Sequence, residues 1–285
     1  MSKLKIAIQK SGRLSDDSVK LFKACGIKFE VGKSKLMSES KNFPAEFLFL
    51  RDDDIPGYVE DGVADAGIVG DNVLMEYGKD VNTVKKLGFS KCRLSLAVGR
   101  DVAYTDINYF EGKSIATSYP KILGDYLKSK NVKAQIHFIS GSVEIAPGIG
   151  LAEGVCDIVS TGGTLLSNGL KEVEPIFNSE AVLIANKGLS DKKLALLDRI
   201  VFRMNAVQTA DTHKYVLLNA PNDKIEKIIS VMPGMRSPTI TPLAQKGWSS
   251  IHSVLKENDF WENIEEMRNE GAEGILVIPI EKMIF

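Results

Sequence analysis

Residues Asp157 to Leu165 read DIVSTGGTL. One carboxylate precedes a short apolar run. Ser160, Thr161 and Thr164 then surround Gly162 and Gly163. At a strand-to-helix turn this set has a definite chemistry. Backbone N–H groups at a helix N-terminus carry partial positive charge, and glycine lets an anion approach them closely. The three hydroxyls add donors. A carboxylate a few residues upstream readily accepts hydrogen bonds from ribose hydroxyls. A glycine pair alone would read as a packing turn; the hydroxyls and the acid tip the reading towards a phosphorylated sugar.

Other polar residues fall at similar places. Lys10 and Arg13 lie in KSGRLS, directly after an apolar alternation, and Arg51 closes another apolar run. Two cations in a turn read first as a solvated turn. Ligands of α/β sheets nevertheless collect at strand C-termini, and arginine there grips phosphate with a fork that lysine lacks. A tight turn at Gly70 and a helix cap at Asp71 explain both of those residues. Tyr119, before Pro120, reads as a core aromatic or as a surface for an adenine ring. Glu144 reads as an exposed acid in a helix's first turn, and Asp52 and Asp53 as helix-start acids.

The elements that must position these residues follow from hydrophobic period. KLKIAIQ, AEFLFL, ADAGIVG, CRLSLAVGR, SIATS, KAQIHFIS, DIVS and EAVLIAN read as strands. Between them, DDSVKLFKACG, with Ser15 as candidate cap and Gly26 past its end, DIPGYVEDG, NVLMEYG, KILGDYLKSK and SVEIAPGIGLAEG read as helices, and TGGTLLSNG opens another. This alternation predicts α/β layers with largely parallel sheets. LSDKKLALLDRIVFRMNAVQTA then reads as a long amphipathic connector. After it the order is strand, helix, a turn at PG, two strands, helix, strand. That βαββαβ order is the ferredoxin-like one.

Bulk properties narrow the classes. The chain has 285 residues, 44% hydrophobic and 26% charged, with a formal net charge of −1. No global field favours nucleic acid or a membrane surface, so an anionic ligand needs a local site. No apolar run reaches the ~18 residues of a membrane span. The start lacks the apolar core of a signal peptide, and the three cysteines form no CxxC, so a reducing, cytoplasmic setting is expected. The three histidines show no metal-ligand spacing, and no protein metal site is expected.

The segment EIAPGIGLAEGVCDIVSTGGTL, from Glu144 to Leu165, resembles the signature of the ATP phosphoribosyltransferase family. Glu144, Gly150, Ala152, Val155, Asp157, Thr161, Gly162, Thr164 and Leu165 stand at the family's spacings. KSGRLS, LRDDDIPGYVEDGVADAGIVGDNVL, IATSYP and SEAVLI resemble family segments in the family's order. PGMRSPTITPLA and GAEGILVIPIEKMIF resemble the family's long form, which carries its own regulatory domain.

The resemblance implies two α/β lobes similar to type II periplasmic binding proteins, plus a C-terminal ferredoxin-like βαββαβ domain. It implies a first lobe of residues 1–92 and 180–212, a second of 93–179, and a regulatory domain of 213–285. The implied reaction joins ATP and phosphoribosyl pyrophosphate, opening histidine biosynthesis, with magnesium carried by the substrate. It implies catalytic roles for Asp157, Glu144, Lys10 and Arg13. Substrate contacts would come from Ser160, Thr161, Gly162, Gly163, Thr164, Arg51, Gly70, Asp71 and Tyr119. Histidine would act as feedback inhibitor at Asn219, Ser237, Thr239 and Gly274, with dimer and hexamer as assembly states. Many relatives carry an acid where Asn219 stands, which predicts weaker or altered inhibition. Two readings compete: a bilobal sensor that closes on a phosphosugar without turnover, and a phosphoribosyltransferase acting on a free nucleobase.

Overall fold

The computed structural model describes residues 3–32, 35–232, 234 and 237–285. The predicted turn at Pro233 lies outside them. The chain divides into two compact units, residues 1–20 with 27–197, and residues 21–26 with 198–285.

The first unit holds two sheets. One contains β1 (Leu4–Gln9), β2 (Met37–Glu39), β3 (Ala45–Leu50), β4 (Ala66–Gly70), β5 (Asn82–Lys86) and β11 (Ala181–Ala185), in the order β2-β3-β1-β4-β11-β5. β1 runs parallel to both β3 and β4, while β11 returns antiparallel between β4 and β5. Central position explains why LKIAIQ and AGIVG are nearly all buried: such strands are covered on both faces. Ala7, Leu48, Val69, Val182 and Ile184 pack with Ile55 and Val59 of helix α2 (Ile55–Glu60) and Val73 of α3 (Asp71–Tyr77).

The second sheet contains β6 (Cys92–Gly99), β7 (Ser114–Thr117), β8 (Gln135–Phe138), β9 (Gly154–Val159) and β10 (Leu170–Ser179), in the order β10-β6-β9-β7-β8. Its alternation sorts two cores. Leu94, Leu96 and Val98 face Ile122, Leu123 and Leu127 of α4 (Pro120–Ser129). Ala97, Val155 and Val159 face Leu165 of the short helix α5 (Gly163–Ser167) and the apolar turn around Val143 and Ala146. The chain thus passes from the first sheet to the second after β5 and returns after β10. These are two α/β lobes.

Helix α1 (Arg13–Ala24) begins in the first unit, and α6 (Asp191–Asp211) ends in the second. The second unit carries β12 (His213–Pro221), α7 (Ile225–Ser230), β13 (Thr239–Pro242), β14 (Trp248–Lys256), α8 (Glu257–Asn269) and β15 (Glu273–Pro279). Its antiparallel sheet has the order β13-β14-β12-β15, which is ferredoxin-like. Val216, Leu218, Ile251 and Leu255 on one face pack against Ile228 of α7 and Phe260 and Met267 of α8.

The sheets of the two lobes are mixed rather than largely parallel: among the described residues four strand pairs run parallel and five antiparallel, because β2, β6, β10 and β11 run against their neighbours. Four local expectations are also corrected. SVEIAPGIGLAEG is not a helix: a single 3₁₀ turn, Val143–Ile145, gives way to turns through Pro147, Gly148 and Gly150. Glu144 sits in that turn rather than on a helix. Ser15 does not cap α1, which already starts at Arg13; Ser15 is buried inside it. Asp71 does not cap α3 but opens it. The cap position is Gly70, with extended backbone and no side-chain cap bond. Strands β2, β5 and β10 had no counterpart in the sequence reading.

Candidate functional site

The parallel strands of the two lobes deliver the site residues. Lys10 follows β1, Arg51 follows β3, Gly70 ends β4 and Asp71 follows it, Tyr119 follows β7, and Ser160 follows β9. Each position is a strand C-terminus, the side of α/β sheets where ligands bind. Lys10 is exposed and its backbone N–H is held by the Leu50 carbonyl at 2.8 Å, which ties the ends of β1 and β3 together. Arg51 is exposed beside the acids Asp52–Asp54, which form one 3₁₀ turn before α2.

The loop after β9 is a formed pocket of about 190 Å³. It is lined by Ile158 to Leu165 and by Arg13 of the other lobe. Gly162 is left-handed, with φ of 82° and ψ of −2°, and is the cap residue of α5. A Cβ there would meet nothing nearer than Val159 Cγ1 at 4.0 Å, so what a side chain would cost is backbone strain. The Arg13 guanidinium donates to Ser160 Oγ at 2.8 Å, joining the lobes at the lip of this pocket. Thr161, Gly163 and Thr164 are exposed around it.

Asp157 lies two residues before the end of β9, on the same face as Val155 and Val159. Burial raises its carboxyl above the usual range. The Glu144 charge adds to that, and the Ile158 N–H, at 2.7 Å, opposes it. Tyr119 is half-buried. Its phenol is pushed up by burial first and by the Asp157 charge second.

Tyr119 also accepts a hydrogen bond from Asn72 Nδ2 at 3.1 Å. Asn72 is buried, and its backbone N–H and Oδ1 both meet the Ser179 hydroxyl, at 3.0 and 2.7 Å. A Cβ on Gly70 would lie 2.4 Å from Asn72 Oδ1, so glycine there admits this amide. Asp71 is half-buried, its carboxyl raised by burial, and its N–H is held by the Glu180 carbonyl. Sequence reasoning missed Asn72 and Ser179. It also missed Arg93, which forks onto Glu172 at 2.5 Å through Nε and Nη2. An arginine alternating with Ser95 in an otherwise apolar strand was the available signal.

In the second unit, Asn219 of β12 and Gly274 of β15 meet. A Cβ on Gly274, whose φ is 56°, would lie 3.1 Å from Asn219 Nδ2. Thr239 pairs with His252, a neighbouring strand away, and Ser237 is exposed just before β13. No cluster of three or more His, Cys, Asp or Glu that could hold a metal occurs among the described residues, and no described helix is long and apolar enough to cross a membrane.

Two α/β lobes joined by paired crossings define the class of type II periplasmic-binding-protein folds. A substrate-binding protein of an amino acid ABC transporter shares that fold at TM-score 0.50 and 12% identity, covering 73% of this chain and 94% of its own. Sequence is more specific. The family model for ATP phosphoribosyltransferase matches residues 51–206, and that for the HisG C-terminal domain matches 210–282. The ATP phosphoribosyltransferase of Cytophaga hutchinsonii is 59% identical over 281 residues, 99% of this chain and 98% of the relative. That of Bacteroides thetaiotaomicron is 58% identical, covering 99% of both. The ATP phosphoribosyl transferase (HisG:HisZ) complex from Thermotoga maritima contains a chain similar at TM-score 0.60 and 29% identity, covering 71% of this chain and 98% of its own. The chain belongs to the ATP phosphoribosyltransferase family, long form, and is an enzyme of the pentosyltransferase class.

Proposed function

We propose that the enzyme takes the first step of histidine biosynthesis, joining ATP and phosphoribosyl pyrophosphate to give phosphoribosyl-ATP and pyrophosphate. The observation that carries this reading is the Ser160–Thr164 pocket, with left-handed Gly162 and Arg13 reaching it from the other lobe. That donor set suits a sugar's terminal phosphate. A ring nitrogen of the adenine attacks the anomeric carbon as its bond to pyrophosphate breaks. No side-chain nucleophile is needed. The protein orients two polyanions and stabilises charge shared between a ribosyl cation and the leaving group.

Asp157 and Glu144 bind ribose hydroxyls and favour the cationic sugar. Lys10, Arg13 and Arg51 neutralise pyrophosphate and the ATP phosphates. Gly70, Asp71 and Tyr119 line the nucleotide side. Magnesium arrives on the pyrophosphate, held by substrate and water as this reluctantly dehydrated cation commonly is. In the C-terminal module, Asn219, Ser237, Thr239 and Gly274 receive histidine as feedback inhibitor. The assembly states are dimer and hexamer, and the setting is cytoplasmic.

The test is a phosphoribosyl-ATP formation assay with both substrates, with free adenine in competition. Product that needs ATP supports the reading. Tight binding of phosphoribosyl pyrophosphate without pyrophosphate release would mark a sensor. Turnover of free adenine in preference to ATP would mark a nucleobase enzyme.

A further inference from the structure

We propose that Arg93, clamped by Glu172 and Ser95, is the positioning residue that aims the first N–H of the phosphate loop. The proposal rests on the reading of Ser160–Thr164 as the site for the sugar's terminal phosphate.

Ser160 is gripped twice. Its hydroxyl accepts from Arg13, and its carbonyl accepts from Arg93 Nη1 at 3.4 Å. Arg93 does not reach the pocket lining itself. Its strand β6 lies beside β9, with Arg93 opposite Val159, so its side chain stands next to the residue where β9 gives way to the loop. The guanidinium is not free to wander. Nε and Nη2 fork onto the two oxygens of Glu172, and Ser95 Oγ donates to the same carboxylate at 2.8 Å. These bonds, Arg93 first, hold the Glu172 carboxyl below its usual range, so the clamp stays ionised at neutral pH. Ser95 is fully buried, which fixes the far end of the chain of contacts.

A carbonyl held by a fixed guanidinium has a consequence across the peptide plane. The described chain contains no cis peptide. In a trans peptide the C=O and the following N–H point in opposite directions. Pinning the Ser160 carbonyl towards Arg93 therefore turns the Thr161 N–H away from Arg93, to the side where the loop receives its anion. If this peptide rotated, the pocket would present a carbonyl oxygen to a phosphate instead of a donor. Repulsion would replace attraction at the cost of no side chain. Glu172 also keeps Arg93 from competing: a guanidinium bound to its own carboxylate leaves the phosphate to the loop and to Arg13.

The experiment uses the full-length protein and two small probes, ribose 5-phosphate and inorganic pyrophosphate, titrated calorimetrically. The wild type is expected to bind both. Arg93→Met should weaken ribose 5-phosphate by about ten- to a hundredfold, the loss when a charged acceptor forfeits one aligned donor, and leave pyrophosphate within about twofold. Arg93→Lys keeps the charge but lacks the fork that spans Glu172 and the carbonyl, so it should fail to rescue. Glu172→Gln should give a smaller loss in the same direction, and it carries the comparison if Arg93→Met does not fold. Equal affinity of wild type and folded variants for ribose 5-phosphate overturns the proposal alone. Equal losses for both probes overturn it too, because they report general damage. A wild type that binds pyrophosphate but not ribose 5-phosphate overturns the phosphate-loop reading itself, and this inference with it.

Discussion

At the residue scale, the carboxyl of Asp157 is held in a state that costs stability. Its proton affinity is raised by burial, so the ionised form is disfavoured in the folded protein. The sign follows from linkage. A carboxyl whose folded pKa exceeds its unfolded one contributes stability that is present below the unfolded pKa and lost as pH rises through the folded pKa. At neutral pH the native enzyme therefore bears a penalty at this position. Asp157→Asn should melt higher than wild type at pH 7, and the gain should vanish in acid. The same substitution removes the charge that faces the ribosyl cation. Turnover should fall by about 2–4 kcal/mol of transition-state stabilisation. Melting curves across pH, set beside initial rates, check both halves. A variant that is less stable and fully active would make Asp157 a structural acid.

The phosphate loop was legible in the sequence because its chemistry is local: glycines, hydroxyls and a helix start lie within five residues. Thr161→Ala and Gly162→Val test it from two directions. Removing the hydroxyl deletes one donor. Valine at a φ of 82° strains the backbone and fills the approach to the N–H groups. Both should lower affinity for phosphoribosyl pyrophosphate far more than they alter the fold, with the valine variant worse. Unchanged titrations of folded variants would sink the idea. Asn72, Ser179, Arg93 and Glu172 were illegible for the opposite reason. Their partners are 107 and 79 residues away in sequence, and no spacing encodes such a meeting.

At the element scale, the strands missed by periodicity share one property. β2, β5 and β10 are all sheet edges. An edge strand meets solvent and carries charges that keep it from pairing with other chains, and these blur the alternation. β5 reads NTVKK and is largely exposed, and β10 carries Pro175, which is tolerable at an edge. The false helix at SVEIAPGIGLAEG fails from the other side: its apolar residues suit a helical face, but Gly148, Gly150 and Pro147 leave too few consecutive residues to sustain one.

Two helices make a reciprocal clasp between the lobes. Glu76 of α3 accepts from the backbone N–H groups of Lys121 and Ile122, at 2.8 and 3.0 Å, in the first turn of α4. Lys121 Nζ donates back to the Met75 carbonyl near the end of α3, at 2.7 Å. An anion thus meets one helix's positive end and a cation the other's negative end. α4 has no side-chain cap of its own at Tyr119, so the capping function comes from the other lobe. Glu76→Ala should release the Lys121 and Ile122 amides to faster hydrogen exchange. It should also weaken ligands held between the lobes by about three- to tenfold, since a cap of this kind is worth about 1 kcal/mol. Unaltered exchange at those two amides would show that the clasp holds nothing.

At the scale of the molecule, element order predicted α/β layers and the βαββαβ module, while the division into two lobes came with the resemblance. The crossing of the chain between lobes did not follow from element order either. Periodicity says which segments are strands, not which sheet receives β11 after β10 has closed the other. That knowledge came from resemblance. The long helix α6 was readable as a helix, yet its division between the two compact units was not.

The C-terminal module carries the last prediction. Asn219 and Gly274 meet across β12 and β15, and Thr239 lies on the adjoining strand pair. If histidine binds there, an amide at residue 219 offers its ammonium or imidazole a neutral acceptor. Asn219→Asp supplies a charge and should tighten inhibition, because hydrogen bonds to ionised groups are about twice as strong. Gly274→Val places bulk against the Asn219 side chain and should abolish inhibition while leaving the uninhibited rate near wild type. Any effect on rate must come from a different preference of histidine for two arrangements of the assembly, worth about 1–3 kcal/mol of coupling. Rate and sedimentation should therefore move together: histidine should slow the intact enzyme and shift it towards a hexamer, and Gly274→Val should lose both responses at once. Deleting residues 213–285 should also abolish inhibition. That cut leaves Asp198–Asp211 of α6 without the unit it belongs to, so the point variants are the cleaner measurement. An active enzyme indifferent to millimolar histidine in rate and in sedimentation, with Asn219→Asp equally indifferent, would leave the module a purely structural one.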